Sequence, residues 1–276
     1  MYAQYFSMIG AGRIALLLLI GALLSSCATV PVVPPGALSE LAPTGKLRAA
    51  INFGNPVLAQ KDPATGEPRG VSVDLARELG RRLGVPVELV TFDAAGKVFA
   101  ALKTGAWDIA FLAIDPARAT EIAFTAPYVV IEATYLVPAD SPLRTIEDVD
   151  RDGVRVAVGN KSAYDLYLAR NLKKAKIERA PTSPAVVDYF LANKLDVAAG
   201  VKQQLEMDAK RIPGLWLLPG RFMVINQAMG MARGKEAGAN YLASFVEEMK
   251  ASGFVAEALA RHRIEGAGIA PPGGRP

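Results

Sequence analysis

The chain has 276 residues, 51% of them hydrophobic and 21% charged, with 19 Pro and 25 Gly, which excludes wholesale disorder and collagen-like repetition. Its 31 Lys plus Arg against 27 Asp plus Glu leave a net charge of +4, and the longest basic cluster, Lys173, Lys174 and Lys176, is too small to make a nucleic-acid stripe. One Cys and one His exclude a disulfide framework and a Cys/His zinc site, and make any nucleophile–His relay depend on His262 alone.

In chain order, Arg13 precedes the run 14–24 (IALLLLIGALL), too short to cross a bilayer but the right length for the apolar stretch of a signal peptide over 1–26. Leu24-Ser25-Ser26-Cys27 follows. Small residues before a cysteine let a peptidase reach the backbone, and the segment resembles the bacterial lipobox, in which Cys27 becomes the lipidated first residue. No later segment is long and apolar enough to span a membrane, so the chain is expected to be exported and tethered. Pro31, Pro34, Pro35 and Pro43 remove backbone donors and favour extended geometry, so 27–45 reads as the lipidated Cys plus a spacer.

The remainder alternates strands and helices. A strand is expected over 46–52, then a helix capped by Ser72, with Val73, Leu75, Ala76, Leu79 and Leu83 at helical spacing, stopped by Gly84 and Pro86. A strand over 85–91, a helix over 94–103 capped by Asp93, and a buried strand over 107–113 (WDIAFLA) continue the βαβ rhythm. It resumes with strand 153–159, helices 162–173 and 183–193, strands 195–200 and 215–219, and helices 235–252 and 254–262. The segments 102–108 and 191–196 each run from a helix end through a turn to Asp108 or Asp196 and an apolar strand, a faint internal echo of two similar lobes. Between the blocks, 128–138 and 222–232 are extended apolar stretches suited to paired crossings. Two lobes facing each other at the carboxyl ends of their strands close a cleft over a solute.

Gly70-Val-Ser-Val-Asp74-Leu-Ala-Arg-Glu-Leu-Gly-Arg-Arg-Leu83 resembles the signature of family 3 extracellular solute-binding proteins, the polar-amino-acid group of ABC importers, with Ser72 where an acidic residue is usual. Ile114-Asp-Pro-Ala-Arg118-Ala-Thr-Glu-Ile-Ala-Phe-Thr-Ala-Pro-Tyr128 is similar to the family's Thr-Pro-Glu-Arg stretch followed by Phe-Ser-x-Pro-Tyr. The resemblance covers roughly 46–261. It implies an α/β fold of the two-lobed type II periplasmic binding protein kind, with mostly parallel sheets flanked by helices and a ligand cleft between lobes. Lobe 1 would be discontinuous, 46–130 plus 225–265, lobe 2 would be 131–224, and 266–276 a flexible tail.

The resemblance assigns Arg118 to the ligand α-carboxylate, which suits a guanidinium fork making two parallel charge-assisted hydrogen bonds, and it expects Arg118 to carry binding rather than the fold. Asn52, Phe53 and Asn55 fall in the family's ligand-side loop, where Phe53 is placed to stack on a ligand or to fill the core. Phe111, Leu112 and Ala113 replace small hydroxyl residues before the arginine, leaving backbone amides to substitute. In lobe 2, Gly159-Asn160-Lys161-Ser162 joins a strand to a helix and offers amides to an anion, though its glycine spacing does not fit a phosphate-binding P-loop. The family's ammonium-binding aspartate falls at Val201, next to Lys202. A buried ammonium without a counter-charge is costly, so weight moves towards a carboxylate lacking the amino group, with a second acidic end meeting Lys161 or Lys202.

The leading expectation is a lipid-anchored receptor, on the periplasmic or outer face of the membrane, that delivers a small carboxylate solute to an ABC permease. It is expected to be a monomer with no cofactor, metal, catalysis or nucleic-acid partner. Two alternatives stand: an exported cyclohexadienyl or arogenate dehydratase-like enzyme, which needs a cleft acid such as Glu132 or Asp115, and a sensory solute-binding subunit.

Overall fold

The computed structural model describes residues 33–273. The first element is a helix, α1 (Pro35–Leu41), with Pro35 at its first turn, where a missing N–H costs nothing. It lies on the far-downstream helix α8 (Glu236–Ala251). Ala37 and Leu41 are fully buried, and the Glu40 carboxylate accepts from the Gly238 amide at 2.7 Å. The expected spacer is therefore folded from Pro35 to Leu41.

Strands β1 (Leu47–Asn52), β4 (Val87–Phe92) and β5 (Ile109–Ala113) are parallel, and helices α2 (Val71–Leu83) and α3 (Ala95–Ala101) connect them. Between β1 and α2, strands β2 (Gln60–Lys61) and β3 (Pro68–Arg69) form a small hairpin. After β5 come a short helix, α4 (Pro116–Ala119), and the seventeen-residue strand β6 (Ile122–Pro138). A second parallel set follows: β7 (Arg155–Gly159), α5 (Ala163–Asn171), β8 (Lys176–Ala180), α6 (Val186–Ala192) and β9 (Val197–Val201). Helix α7 (Lys202–Arg211), β10 (Leu215–Leu217), β11 (Met223–Ala232), α8, α9 (Phe254–Arg261) and β12 (Gly268–Ile269) complete the chain.

The strand order is β4-β1-β5-β11-β6-β9-β7-β8, with β10 and β12 also paired to β6. β6 and β11 run antiparallel from Ile122↔Ala232 to Ala133↔Met223, as the two apolar crossing stretches predict, and β6 continues alone into the second half to meet β9 and β10. Each half has its own core: Ala50, Val98, Trp107 and Leu112 in the first, Ala157, Val187, Phe190 and Ala198 in the second. This is the mixed α/β architecture of two-lobed periplasmic binding proteins.

The internal echo has a physical basis. Asp108 accepts from the Arg48 amide and guanidinium at the start of β1, and Asp196 accepts from the amide and guanidinium of Arg155 at the start of β7. Each aspartate thus ties the loop before one parallel strand to the root of its neighbour, once per half. Gly105 and Lys194 turn the chain into these loops with positive φ.

Three local expectations change. Ser72 does not cap α2: Gly70, at φ +123, holds that position, and the Ser72 hydroxyl lies inside the helix at 3.3 Å from the Tyr128 hydroxyl. Asp93 does not cap α3 but pairs with Lys97 one turn along, at 2.8 Å. The tail expected over 266–276 is ordered as far as it is described: Gly268 and Ile269 pair with Val130 and Val129, Ala270 is buried, and the Lys250 ammonium donates to the Pro271 carbonyl at 2.9 Å.

Candidate functional site

The carboxyl ends of β1 and β5 in the first half and of β7 and β9 in the second carry Asn52, Ala113, Gly159 and Val201, and Arg118 is one of the side chains that join the halves there. Asp115 caps α4 by accepting from the Ala117 amide at 2.9 Å, and this single turn swings Arg118 inward, where it is only 1% exposed. Its guanidinium donates to the Ala113 carbonyl at 3.0 Å in the first half and to the Lys161 carbonyl at 2.9 Å in the second. No Asp or Glu among the described residues forms an ion pair with it. Burial pushes its pKa down to about 10, with Asp115 opposing that shift.

Lys161 is shaped for this contact. It adopts φ +55, unusual for a residue with a side chain, while its amide donates to Asp165 at 2.8 Å and Ser162 caps α5 by accepting from the Asp165 amide. Its stem lies against Gly96 of α3, so close that a Cβ built on Gly96 would come within 2.6 Å of Lys161 Cβ. Glycine permits that approach between the halves. A second bridge forms where Arg170, at the end of α5, donates to Asp115 Oδ2 at 2.7 Å.

The remaining expected residues distribute unevenly. Asn52 accepts from the Gly54 amide at 2.9 Å and shapes the loop after β1, in which Asn55 has a buried side-chain oxygen with no partner. Phe53 is half-buried, with the Lys61 ammonium 5.6 Å from its ring centroid. Phe111 packs edge-on against Tyr128, and Leu112 belongs to the first half's core, so their side chains support the site rather than line it. The strand containing them is paired with β11 from Phe111 to Ala113, which leaves fewer amides for a solute than the hydroxyl replacement suggests.

Val201 is nearly buried opposite Ala133. Lys202 does not stand as a free cation: its ammonium lies 3.3 Å from Glu132, which Arg221 also engages. These two cations hold the Glu132 carboxyl below its ordinary range. Lys202 also borders a cavity of about 420 Å³ between α7, the loop at Pro56 and Val57, and the segment from His262 to Gly266. Neither Arg118 nor Lys161 lines that cavity.

Gly96, Asp115 and Arg170 were not anticipated as a set. Asp115 follows β5 and precedes Pro116, an N-cap pattern visible in the sequence, whereas the pairing of Gly96 with Lys161 depends on tertiary packing. Cys27 and the signal segment lie outside the described residues. No described helix is long and apolar enough to cross a membrane, and no group of three or more potential metal ligands gathers among the described residues.

The sequence profile of bacterial extracellular solute-binding proteins, family 3, matches residues 47–263. Among solved structures, a mutant of ArgBP from T. maritima superposes with a TM-score of 0.71 at 22% identity, over 83% of this chain and all of that one. The ancestral amino acid-binding protein AncCDT-1, a precursor of cyclohexadienyl dehydratase, gives 0.69 at 24% identity, over 81% of this chain and 98% of that one. A putative binding component of an ABC transporter from Wolinella succinogenes, complexed with lysine, gives 0.68 at 23%, over 79% of this chain and 95% of that one. At such identities these likenesses speak for the fold alone.

Proposed function

The chain belongs to the bacterial extracellular solute-binding proteins, family 3, and on that premise we propose that it is the receptor of an ABC importer, closing on a small carboxylate solute in the cleft between its two halves. The carrying observation is Arg118: a desolvated guanidinium with no acidic partner in the described chain, held between the halves by one carbonyl from each. A solute carboxylate supplies the missing negative charge, and the planar fork suits it bidentately.

Val201 offers no charge to an α-ammonium, so the solute's carboxylate dominates recognition. A second acidic end is more readily met by Lys161, which forms no ion pair among the described residues, than by Lys202, which Glu132 engages. The lipid on Cys27 tethers the receptor on the periplasmic or outer face of the membrane, and the permease is its macromolecular partner. The dehydratase alternative is weakened by the residues it needs: Arg221 and Lys202 hold the Glu132 carboxyl below its ordinary range, which disfavours it as a proton donor, and both oxygens of Asp115 are engaged, one by a helix cap and one by Arg170.

The test is a thermal-shift screen of amino acids and organic acids, followed by incubation with prephenate. A midpoint rise with one carboxylate class and no turnover supports the receptor reading. Product formation from prephenate, or indifference to every carboxylate, contradicts it.

A further inference from the structure

We infer that the Asp115–Arg170 ion pair is a latch across the cleft, with Arg170 acting as a positioning residue for Arg118. The inference rests on the reading of the cleft as a solute site that opens and closes. Asp115 sits at the junction of β5 and α4 in the first half, and Arg170 at the end of α5 in the second. One carboxylate oxygen is fixed by the Ala117 amide, so the other is aimed outward from the turn, and it accepts from Arg170 Nη2 at 2.7 Å. The Asp115 side chain is 4% exposed and that of Arg170 44%. The carboxylate is thus desolvated where the halves meet, while the guanidinium keeps part of its water, a combination that favours a short charge-assisted contact at modest desolvation cost.

The pair has a second consequence. Asp115 lies three residues from Arg118 and is the acid whose charge favours the protonated guanidinium there. Freed from Arg170, its outward oxygen is an internal competitor for a carboxylate on Arg118. Arg170 therefore contributes to closure and also holds the Asp115 carboxylate away from Arg118. Separation of the halves must break this pair together with the Arg118–Lys161 bond.

The test uses the full chain carrying Cys27→Ser, with spin labels on Lys103→Cys and Lys174→Cys, exposed positions in opposite halves, read by pulsed electron resonance without added solute. Arg170→Met keeps the aliphatic stem, and Asp115→Asn keeps the helix cap. Both are expected to raise the ratio of long to short label distances by about fivefold to tenfold, the effect of a charged hydrogen bond discounted for exposure, with thermal midpoints near that of the parent. Distance distributions that match the parent in both variants overturn the latch. Because this readout needs no solute, it decides the latch even if the parent binds no carboxylate, a result that would count against the receptor reading instead.

Discussion

Arg118 carries a charge into the protein where hydration is lost, and among the described residues only two carbonyl acceptors meet it. Such a group is retained at a cost in stability, because burial of a cation without an anion is unfavourable. Truncation to Ala would leave a cavity and two carbonyls without this donor, so its effect on the fold has to be measured beside its effect on binding. Arg118→Met keeps most of the volume and removes the charge, but it also leaves the two carbonyls without this donor, so relief of the buried charge and loss of the hydrogen bonds oppose each other. Its thermal midpoint without solute should stay close to that of the parent in a denaturation scan; a drop of many degrees would show that the cation stabilises the fold. Gly96→Ala separates binding from stability in another way. A methyl at the second residue of α3 favours the helix by at most about 1 kcal/mol, the gain being largest in helix interiors, yet it lies in the space of Lys161. The variant should melt no lower than the parent and bind solute at least several-fold more weakly by titration; unchanged affinity would mean the halves do not need this contact.

At the level of elements, α2 is tied to the rest of the first half by charge as well as packing. Glu78 accepts from Arg81 and Arg82, and Arg82 reaches Glu248 of α8 at 2.6 Å. Hydrogen bonds from Arg81 lead the causes that hold the Glu78 carboxyl down at about 2. Since the folded value lies below the ordinary one near 4.5, this contribution is complete above pH 4.5 and is lost as pH falls towards 2. Glu78→Gln should cost about 1 kcal/mol at pH 7 and flatten the stability profile over that acid window; parallel pH profiles for the two proteins would refute the assignment. The first helix makes a simpler test. A chain beginning at residue 34 retains Leu41 and Ala37 against α8, while one beginning at residue 43 loses them and should be less stable by about 2 to 3 kcal/mol in urea unfolding. Equal stability of the two would mean that α1 contributes nothing to the fold.

Much of this was legible in the sequence where pattern and burial agree: the apolar run at Ile109 to Ala113, the helical spacing in α2 and the two crossing strands all stand where periodicity puts them. Edge and amphipathic elements were harder to read. β8 (KIERA) lies at the edge of the sheet with charged residues along it, so it shows no apolar run. α7 starts directly at the end of β9 without a turn residue, and Leu205 is its one buried apolar side chain. Around Arg118, its position just after β5 follows from the sequence, whereas the reach of Arg170 to Asp115 spans 55 residues and two halves, and no local pattern encodes it.

For the whole molecule, each half holds its own core, and β6 with β11 links them, which is the arrangement that permits hinge closure. β12 and the chain after it lie along β6 at Val129 and Val130, so the ordered tail is laid against the crossing itself. Small-angle scattering should show contraction when a true solute is added, and an unchanged profile at saturation would indicate a rigid pocket.

Recognition of a carboxylate through Arg118 is what the proposed receptor depends on most. Its most direct test is calorimetric titration of the solute found by screening, its deaminated analogue and its decarboxylated analogue into the parent and Arg118→Met. Removal of one member of a buried charge pair costs about 2 to 5 kcal/mol, so Arg118→Met should bind the solute at least about thirtyfold more weakly. In the parent, loss of the carboxylate should weaken binding more than loss of the amino group. Parent-like affinity in Arg118→Met, or a deaminated analogue that binds worse than the decarboxylated one, would contradict the account.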